Sequence, residues 1–207
     1  EQNSHVVVYA ATPRPGVDNG IMWSTRTWWT LHHMGVQCSI LNGGWEKWIS
    51  DGHAVSKTPS AYAKTHFQSA KPGLEAVVDK SQVASALRST NGTIVVDALS
   101  ADSFHGRDKA RYGNRKGHIS GAINVPMSQM LDVETGTFLS ADKMAAHLNK
   151  HGLLSADHVI SYCGGGIAAT VDAFCLALMG HDNVSVYDGS LLDWLQDDAL
   201  PMTDPSL

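Results

Sequence analysis

Of the three cysteines in this 207-residue chain, one stands where a thiol could act as a nucleophile. Cys163 ends the run His158-Val159-Ile160-Ser161-Tyr162 and is followed by Gly164, Gly165, Gly166, Ile167 and Ala168. The run is short, apolar and rich in β-branched residues, which reads as a buried strand. The glycines let the backbone turn tightly and approach a ligand with no Cβ in the way. Ala168 to Met179 reads as an apolar helix. Cys163 therefore falls between a strand end and a helix start, near loop N–H groups and the positive end of the helix dipole. Both favour an anion, and the candidate anion is the Cys163 thiolate, the reactive form of cysteine. A lone cysteine is more commonly a core residue. Cys38, inside a strand pattern, and Cys175, on the apolar face of the helix, carry that plainer reading.

Other chemistry is less well supported. The eleven histidines show no metal-ligand spacing, so neither a metal nor a cofactor is expected. His118, in Gly-His-Ile, reads as a structural hydrogen-bonding residue. The segment holding Arg107, Asp108, Lys109, Arg111, Arg115 and Lys116 has two readings. It is either solvated surface or a set of cations offered to an anionic substrate. Gly164-x-Gly166-x-x-Ala169, with Asp188 ending the next strand, also fits a dinucleotide fingerprint, which would make this an oxidoreductase module. Against that, the fingerprint normally opens the first βαβ unit, and too little chain follows here. A Cys-x5-Arg phosphatase loop is excluded because Ala169 stands where the arginine would clamp phosphate.

Composition narrows the class further. A net charge of -5 gives no reason to expect nucleic acid, and no stretch has the apolar length of a membrane span. An odd cysteine count without a C-x-x-C pair argues against a disulfide framework and favours a reducing, cytoplasmic setting.

The elements that would position Cys163 alternate between strand and helix, as in a parallel sheet flanked by helices. Val6 to Tyr9 is a strand, Met22 to Met34 a helix, Cys38 to Leu41 a strand and Trp45 to Ser50 a short helix. Residues 57–76, with Pro59, Pro72 and Gly73, read as a linker. Asp79 to Leu87 is a helix and Thr93 to Asp97 a strand. Residues 100–117 read as a loop. Ser140 to His151 is a helix, Val184 to Tyr187 a strand, and a last helix surrounds Trp194.

The chain also repeats itself. His5-Val6-Val7-Val8-Tyr9-Ala10 aligns with His158-Val159-Ile160-Ser161-Tyr162-Cys163, and Ser39-Ile40-Leu41-Asn42-Gly43-Gly44 with Ser185-Val186-Tyr187-Asp188-Gly189-Ser190. Trp48 and Trp194 share an offset beyond those turns. Ala10 replaces the nucleophile in the first copy, which cannot do cysteine chemistry. That copy has nothing matching residues 77–157. The expectation is residues 1–56 as the C-terminal half of an inactive module and residues 77–207 as a catalytic one. The missing N-terminal half would come from a lost segment or from a second chain.

Trp28-Trp29, Leu41-Asn42-Gly43-Gly44, Val96-Asp97-Ala98, Gly117 to Pro126, the Cys163 loop and Tyr187-Asp188-Gly189 together resemble the tandem rhodanese-type sulfurtransferases. That group holds thiosulfate and 3-mercaptopyruvate sulfurtransferases. The resemblance implies two rhodanese-like modules with the active site at their interface. It implies that Cys163 takes sulfur from a small anionic donor as a persulfide and passes it to a thiol, a thioredoxin-like protein or cyanide. The loop from Cys163 to Ala168 would wrap that persulfide. The loop has no basic residue, unlike the thiosulfate type. Gly165 stands where the mercaptopyruvate type carries serine. Of that type's two substrate arginines, Arg111 matches one and Ser103 occupies the other, with Arg107 or Arg115 as a substitute. The resemblance favours 3-mercaptopyruvate over thiosulfate. A non-catalytic rhodanese-like binding module is the remaining reading.

Overall fold

The computed structural model describes residues 4–12, 20–64, 66, 76–108 and 112–205. The chain divides into two compact units, Glu1–Gly73 with Asp132–Phe138, and Leu74–Leu131 with Leu139–Leu207.

In the first unit the order is β1 (Val6–Val8), α1 (Gly20–His33), β2 (Cys38–Ile40) and α2 (Gly44–Ser50). Ile21, Ser24, Thr25, Trp28 and Trp29 are the inward positions of α1, and their spacing of three and four is that of one helical face. Gly35, at φ 77°, follows the helix in the left-handed conformation that ends many helices. β1 and β2 pair in parallel, with Val6, Val7 and Val8 opposite Cys38, Ser39 and Ile40. His5 Nε2 lies 2.9 Å from Ser39 Oγ.

In the second unit the order is β3 (Val77–Val78), α3 (Lys80–Arg88), β4 (Thr93–Asp97), α4 (Ala101–Phe104), β5 (His118–Ile119), β6 (Ile123–Asn124), α5 (Ala141–Lys150), β7 (His158–Tyr162), α6 (Ala169–Leu178), β8 (Val184–Tyr187), α7 (Ser190–Trp194) and β9 (Met202–Thr203). Five strands form one sheet in the order β3-β8-β7-β4-β6, with every pair parallel. A parallel sheet must be covered on both faces, and the strands alternate accordingly. Val95, Ile160, Tyr162 and Tyr187 pack with Val83 and Ala84 of α3 and with Leu191 and Trp194 of α7. On the opposite face, Ser161 reaches Asp172 of α6. Each aliphatic side chain buried this fully contributes about 1.5–3 kcal/mol. Capping fixes α3, where Asp79 accepts the Gln82 N–H at 2.9 Å and the Gln82 side chain returns to the Asp79 N–H at 2.9 Å.

β7 and β8 pair as β1 and β2 do. Val159, Ile160 and Ser161 lie opposite Val184, Ser185 and Val186, and His158 Nε2 lies 2.9 Å from Ser185 Oγ. Under the sequence alignment, every one of these pairs matches its counterpart in the first unit.

Two details depart from the sequence reading. The segment 100–117 contains α4, which Ser100 caps by accepting the Ser103 N–H at 3.2 Å. β9 pairs antiparallel with β5, a partnership of two-residue strands too short to leave a periodic signal. Gly117, at φ 84°, makes this pairing possible, since a Cβ there would overlap the Thr203 carbonyl. No helix among the described residues is long and apolar enough to cross a membrane.

The sheet order places Cys163 at a distinctive point. From β4 the chain moves outward to β6, and from β7 it moves the other way to β8. The β4–β7 junction is therefore the topological switch point, where ligands of open α/β sheets bind beyond the strand C-termini. Asp97 ends β4 and Tyr162 ends β7, directly opposite one another.

Asp97 is fully buried and accepts the Leu99 N–H at 2.8 Å. Its Oδ2 has no hydrogen-bond partner among the described residues. Burial pushes its carboxyl up to about 6 from an ordinary 3.8. A raised carboxyl pKa favours the folded state fully below pH ~4, and the advantage is lost as pH rises to ~6. The difference is on the order of 3 kcal/mol. Asp97→Asn keeps the acceptor for Leu99 and removes the buried charge. It should raise the melting temperature at pH 7.5 and flatten the pH dependence of stability between pH 4 and 6. Thermal melts across that range check this, and an unchanged slope would remove Asp97 as the titrating group.

Candidate active site

Cys163 leaves β7 directly beneath the loop that joins it to α6 and is 2% exposed. Two backbone bonds tie the loop to the next turn of the sheet. The Cys163 carbonyl accepts the Leu191 N–H at 3.1 Å, and the Gly164 carbonyl accepts the Leu192 N–H at 3.0 Å. A side chain supplies the rest. Ser190 Oγ accepts the N–H of Cys163 at 3.1 Å and that of Gly166 at 3.0 Å, and donates to the Tyr187 carbonyl at 2.7 Å. The N–H groups of Gly164, Gly165, Ile167 and Ala168 donate to nothing among the described residues. Four unclaimed donors beside a thiol, ahead of a helix N-terminus, suit a sulfur anion.

The glycines are required for different reasons. At Gly164 a Cβ would overlap the ring of Tyr112. At Gly166 the backbone is left-handed, φ 76°, and a Cβ would come within 2.5 Å of Asp188 Oδ1 and 2.7 Å of its carbonyl oxygen. Gly165 is exposed, and a Cβ there meets only Leu192 Cδ1 at 3.0 Å.

Among the described residues, the strands and helix beside Cys163 carry a buried phenol and two buried carboxyls. Tyr162, fully buried, offers its hydroxyl oxygen to the Ile119 N–H at 3.0 Å, and burial and Asp97 push its phenol well up. On the α6 side, Ser161 Oγ donates to Asp172 Oδ2 at 3.0 Å, while Asp172 Oδ1 has no hydrogen-bond partner among the described residues. Burial drives the Asp172 carboxyl well above its ordinary range. Cys175 is completely buried, and burial with Asp172 nearby pushes its thiol well up, as befits a core residue. Cys38 is partly buried and likewise raised by desolvation.

The structure keeps Cys163, Gly164, Gly165, Gly166, Ile167 and Ala168 together as one loop. Arg111 lies outside the described residues. Arg107 is exposed, and its Nε donates to Asp102 Oδ1 at 2.7 Å. Arg115 is committed elsewhere, with Nη1 and Nη2 each 2.8 Å from the carbonyls of Leu200 and Asp197. His118 is structural. It stacks on Phe104 with ring centroids 3.6 Å apart, and its Nδ1 lies 2.8 Å from the Phe104 carbonyl. Among the described residues no cluster of His, Cys, Asp or Glu could hold a metal ion. Sequence reasoning missed Ser190, Tyr112 and the buried carboxyls. Ser190 alone carried a signal, standing where the first repeat has Gly44.

The unequal glycine environments predict unequal tolerance. Gly164→Ala and Gly166→Ala should each lose about 1–3 kcal/mol through overlap or backbone strain. That is a fall of several degrees in melting temperature for a chain of this length. Gly165→Ala should melt close to the parent, because the end of a leucine side chain can move. Thermal denaturation of the three variants checks the order, and equal losses would refute it.

Known proteins resemble this chain over most of its length. The model of the rhodanese-like domain matches residues 80–197. The chain is 33% identical to 3-mercaptopyruvate sulfurtransferase of Escherichia coli over 197 residues, covering 93% of this chain and 66% of that protein. It is 30% identical to thiosulfate sulfurtransferase of Gallus gallus over 198 residues, covering 93% of this chain and 64% of that one. The chain thus spans about two thirds of the length of these relatives. A solved anaerobic ergothioneine biosynthesis enzyme from Chlorobium limicola, in complex with trimethyl histidine, aligns with a TM-score of 0.83 at 26% identity, over 97% of this chain and 51% of that chain. A variant of EanB carrying a cysteine persulfide, with ergothioneine, aligns with a TM-score of 0.84 at the same identity and coverage. With more than half its length matched and its strand-loop-helix cysteine intact, the chain belongs to the rhodanese-like family of sulfurtransferases.

Proposed function

We propose that this chain transfers a sulfur atom from a small anionic donor, 3-mercaptopyruvate ahead of thiosulfate, through a persulfide on Cys163 to a thiol, a thioredoxin-like protein or cyanide. The observation that carries this reading is the Cys163 loop itself. A thiol at the switch point is followed by the backbone N–H groups of Gly164, Gly165, Ile167 and Ala168, which no other group among the described residues uses. The sulfurtransferase relatives and the persulfide-bearing neighbour support it.

In the first half-reaction the thiolate attacks the outer sulfur of the donor. The sulfur–sulfur bond forms as the donor's carbon–sulfur bond breaks. The departing electron pair goes to carbon as pyruvate enolate, which takes up the proton lost from the donor thiol. With thiosulfate the bond that breaks is sulfur–sulfur, and sulfite leaves. In the second half-reaction the acceptor's lone pair attacks the outer sulfur and Cys163 departs as thiolate. No external oxidant or reductant is needed, and the kinetics are ping-pong. The loop contributes hydrogen-bond donors but no cationic side chain. That arrangement suits a donor with a single carboxylate better than a sulfur dianion, which needs more compensating charge.

The same reading treats residues 1–56 and 77–207 as tandem modules, the first without a nucleophile. The matched strand registers and the two His–Ser contacts of 2.9 Å support it.

Intact mass after incubation with donor alone tests the mechanism. A gain of one sulfur mass with 3-mercaptopyruvate, absent in Cys163→Ser, is expected. Turnover in Cys163→Ser equal to the parent would end this proposal. The donor class is tested separately. Arg111→Ala should raise KM for a carboxylate-bearing donor more than for thiosulfate, and equal changes would take Arg111 out of the donor site.

A further inference from the structure

Among the described residues, Ser190 is the one non-glycine residue with a left-handed backbone, φ 49°. Such a conformation is disfavoured by any side chain and persists where surrounding structure or function holds it. The repeat shows what the turn itself asks for. Its counterpart in the first unit is Gly44, at φ 60°. The turns share a backbone bond, with the Ala10 carbonyl accepting the Trp45 N–H at 3.2 Å where the Cys163 carbonyl accepts that of Leu191 at 3.1 Å, although Gly43 is left-handed at φ 85° and its counterpart Gly189 right-handed at φ -61°. A Cβ at Gly44 would stand 2.7 Å from the Ala10 oxygen. Both turns therefore place a left-handed residue at the aligned position. Glycine sits beside Ala10, and a strained serine sits beside Cys163.

The serine hydroxyl is fully used. It is completely buried and makes all three bonds open to it, accepting from Cys163 and Gly166 and donating to Tyr187. It pins the first and fourth residues of the loop to one oxygen. That curls the chain between them and leaves the remaining loop N–H groups unclaimed.

We infer that Ser190 is a positioning residue for sulfur transfer, its hydroxyl cinching the Cys163–Gly166 turn so that the free loop N–H groups converge on the cysteine sulfur. This rests on Cys163 being the nucleophile. Ser190 touches no reacting atom and acts through the backbone. The other polar groups around the loop are Tyr112 over Gly164, Asp188 beside Gly166, and Tyr162 and Asp97 at the strand ends. All are retained in the variants below.

The test uses the full chain and separates strain from positioning. Ser190→Gly removes hydroxyl and strain together, whereas Ser190→Thr keeps the hydroxyl and worsens the strain. Three quantities are read for each: melting temperature, rate of sulfur uptake from 3-mercaptopyruvate or thiosulfate by intact mass, and pH dependence of iodoacetamide alkylation on the Cys163 peptide. Ser190→Gly should melt at or above the parent temperature. It should still take up sulfur about tenfold more slowly, with an alkylation midpoint about one pH unit higher, the effect of losing one organising hydrogen-bond pair near an anion. Ser190→Thr should melt lower yet keep the parent midpoint. A Ser190→Gly protein with parental uptake and midpoint overturns the role of Ser190 alone. A parent protein that takes up no sulfur from either donor overturns the nucleophile assignment, and this inference with it.

Discussion

The site depends on one pairing. Thr93–Asp97 and His158–Tyr162 run side by side for five residues, and their ends define the switch point of the sheet. Everything that concerns Cys163 is set from there. The Ala98 N–H donates to the Tyr162 carbonyl at 2.9 Å, carrying the pairing one step past β4. The Tyr162 hydroxyl accepts the Ile119 N–H, so the cysteine's own neighbour anchors the segment beyond Gly117. A parallel sheet has no hairpin to hold such strands together. Its register comes from the two buried faces, since a slip by one residue would exchange Ile160 and Tyr162 with Val159 and Ser161.

That register carries polar groups into the interior. Asp97 and Asp172 sit on opposite faces of the sheet, both fully buried, and each keeps one oxygen without a partner among the described residues. An ionised carboxylate in such a place is heavily disfavoured, and burial pushes both carboxyls up, that of Asp97 to about 6. The Ser161 hydroxyl donates to one oxygen of the buried Asp172 carboxyl at 3.0 Å. The consequence for the site is electrostatic. Among the described residues no Lys or Arg is buried, so a sulfur anion at Cys163 would draw on the loop N–H groups and the start of α6.

The sequence made the frame legible and the fastening illegible. β7, β8, α3, α5 and α6 lie within a residue or two of where periodicity and glycine punctuation put them, because long apolar runs bounded by turn residues have few alternatives. The Cys163 loop was legible for the same reason. The β5–β9 pair was not, since two-residue strands joined across more than eighty positions leave no local pattern. The use of Arg115 to hold the Leu200 and Asp197 carbonyls was equally hidden. A charged residue in a charged segment looks alike whether it meets substrate or backbone. Tyr112 over Gly164 explains a glycine that the sequence showed only as one of three.

The neighbours of the loop change how its glycines are understood. If the loop's glycines served only to make a tight turn, they would be interchangeable, yet each stands against a different neighbour. Gly164 makes way for an aromatic ring and Gly166 for a carboxylate on a left-handed turn, whereas Gly165 faces outward with little to obstruct a side chain. The absence of a serine at Gly165 is therefore not forced by packing. A hydroxyl at that position would have reached outward to a substrate, whereas the hydroxyl of Ser190 reaches inward to the backbone. This chain keeps the second at the expense of backbone strain and does without the first. Under the proposed reaction the loop would contribute shape and dipoles, and side-chain chemistry on the donor would have to come from outside Cys163–Ala168.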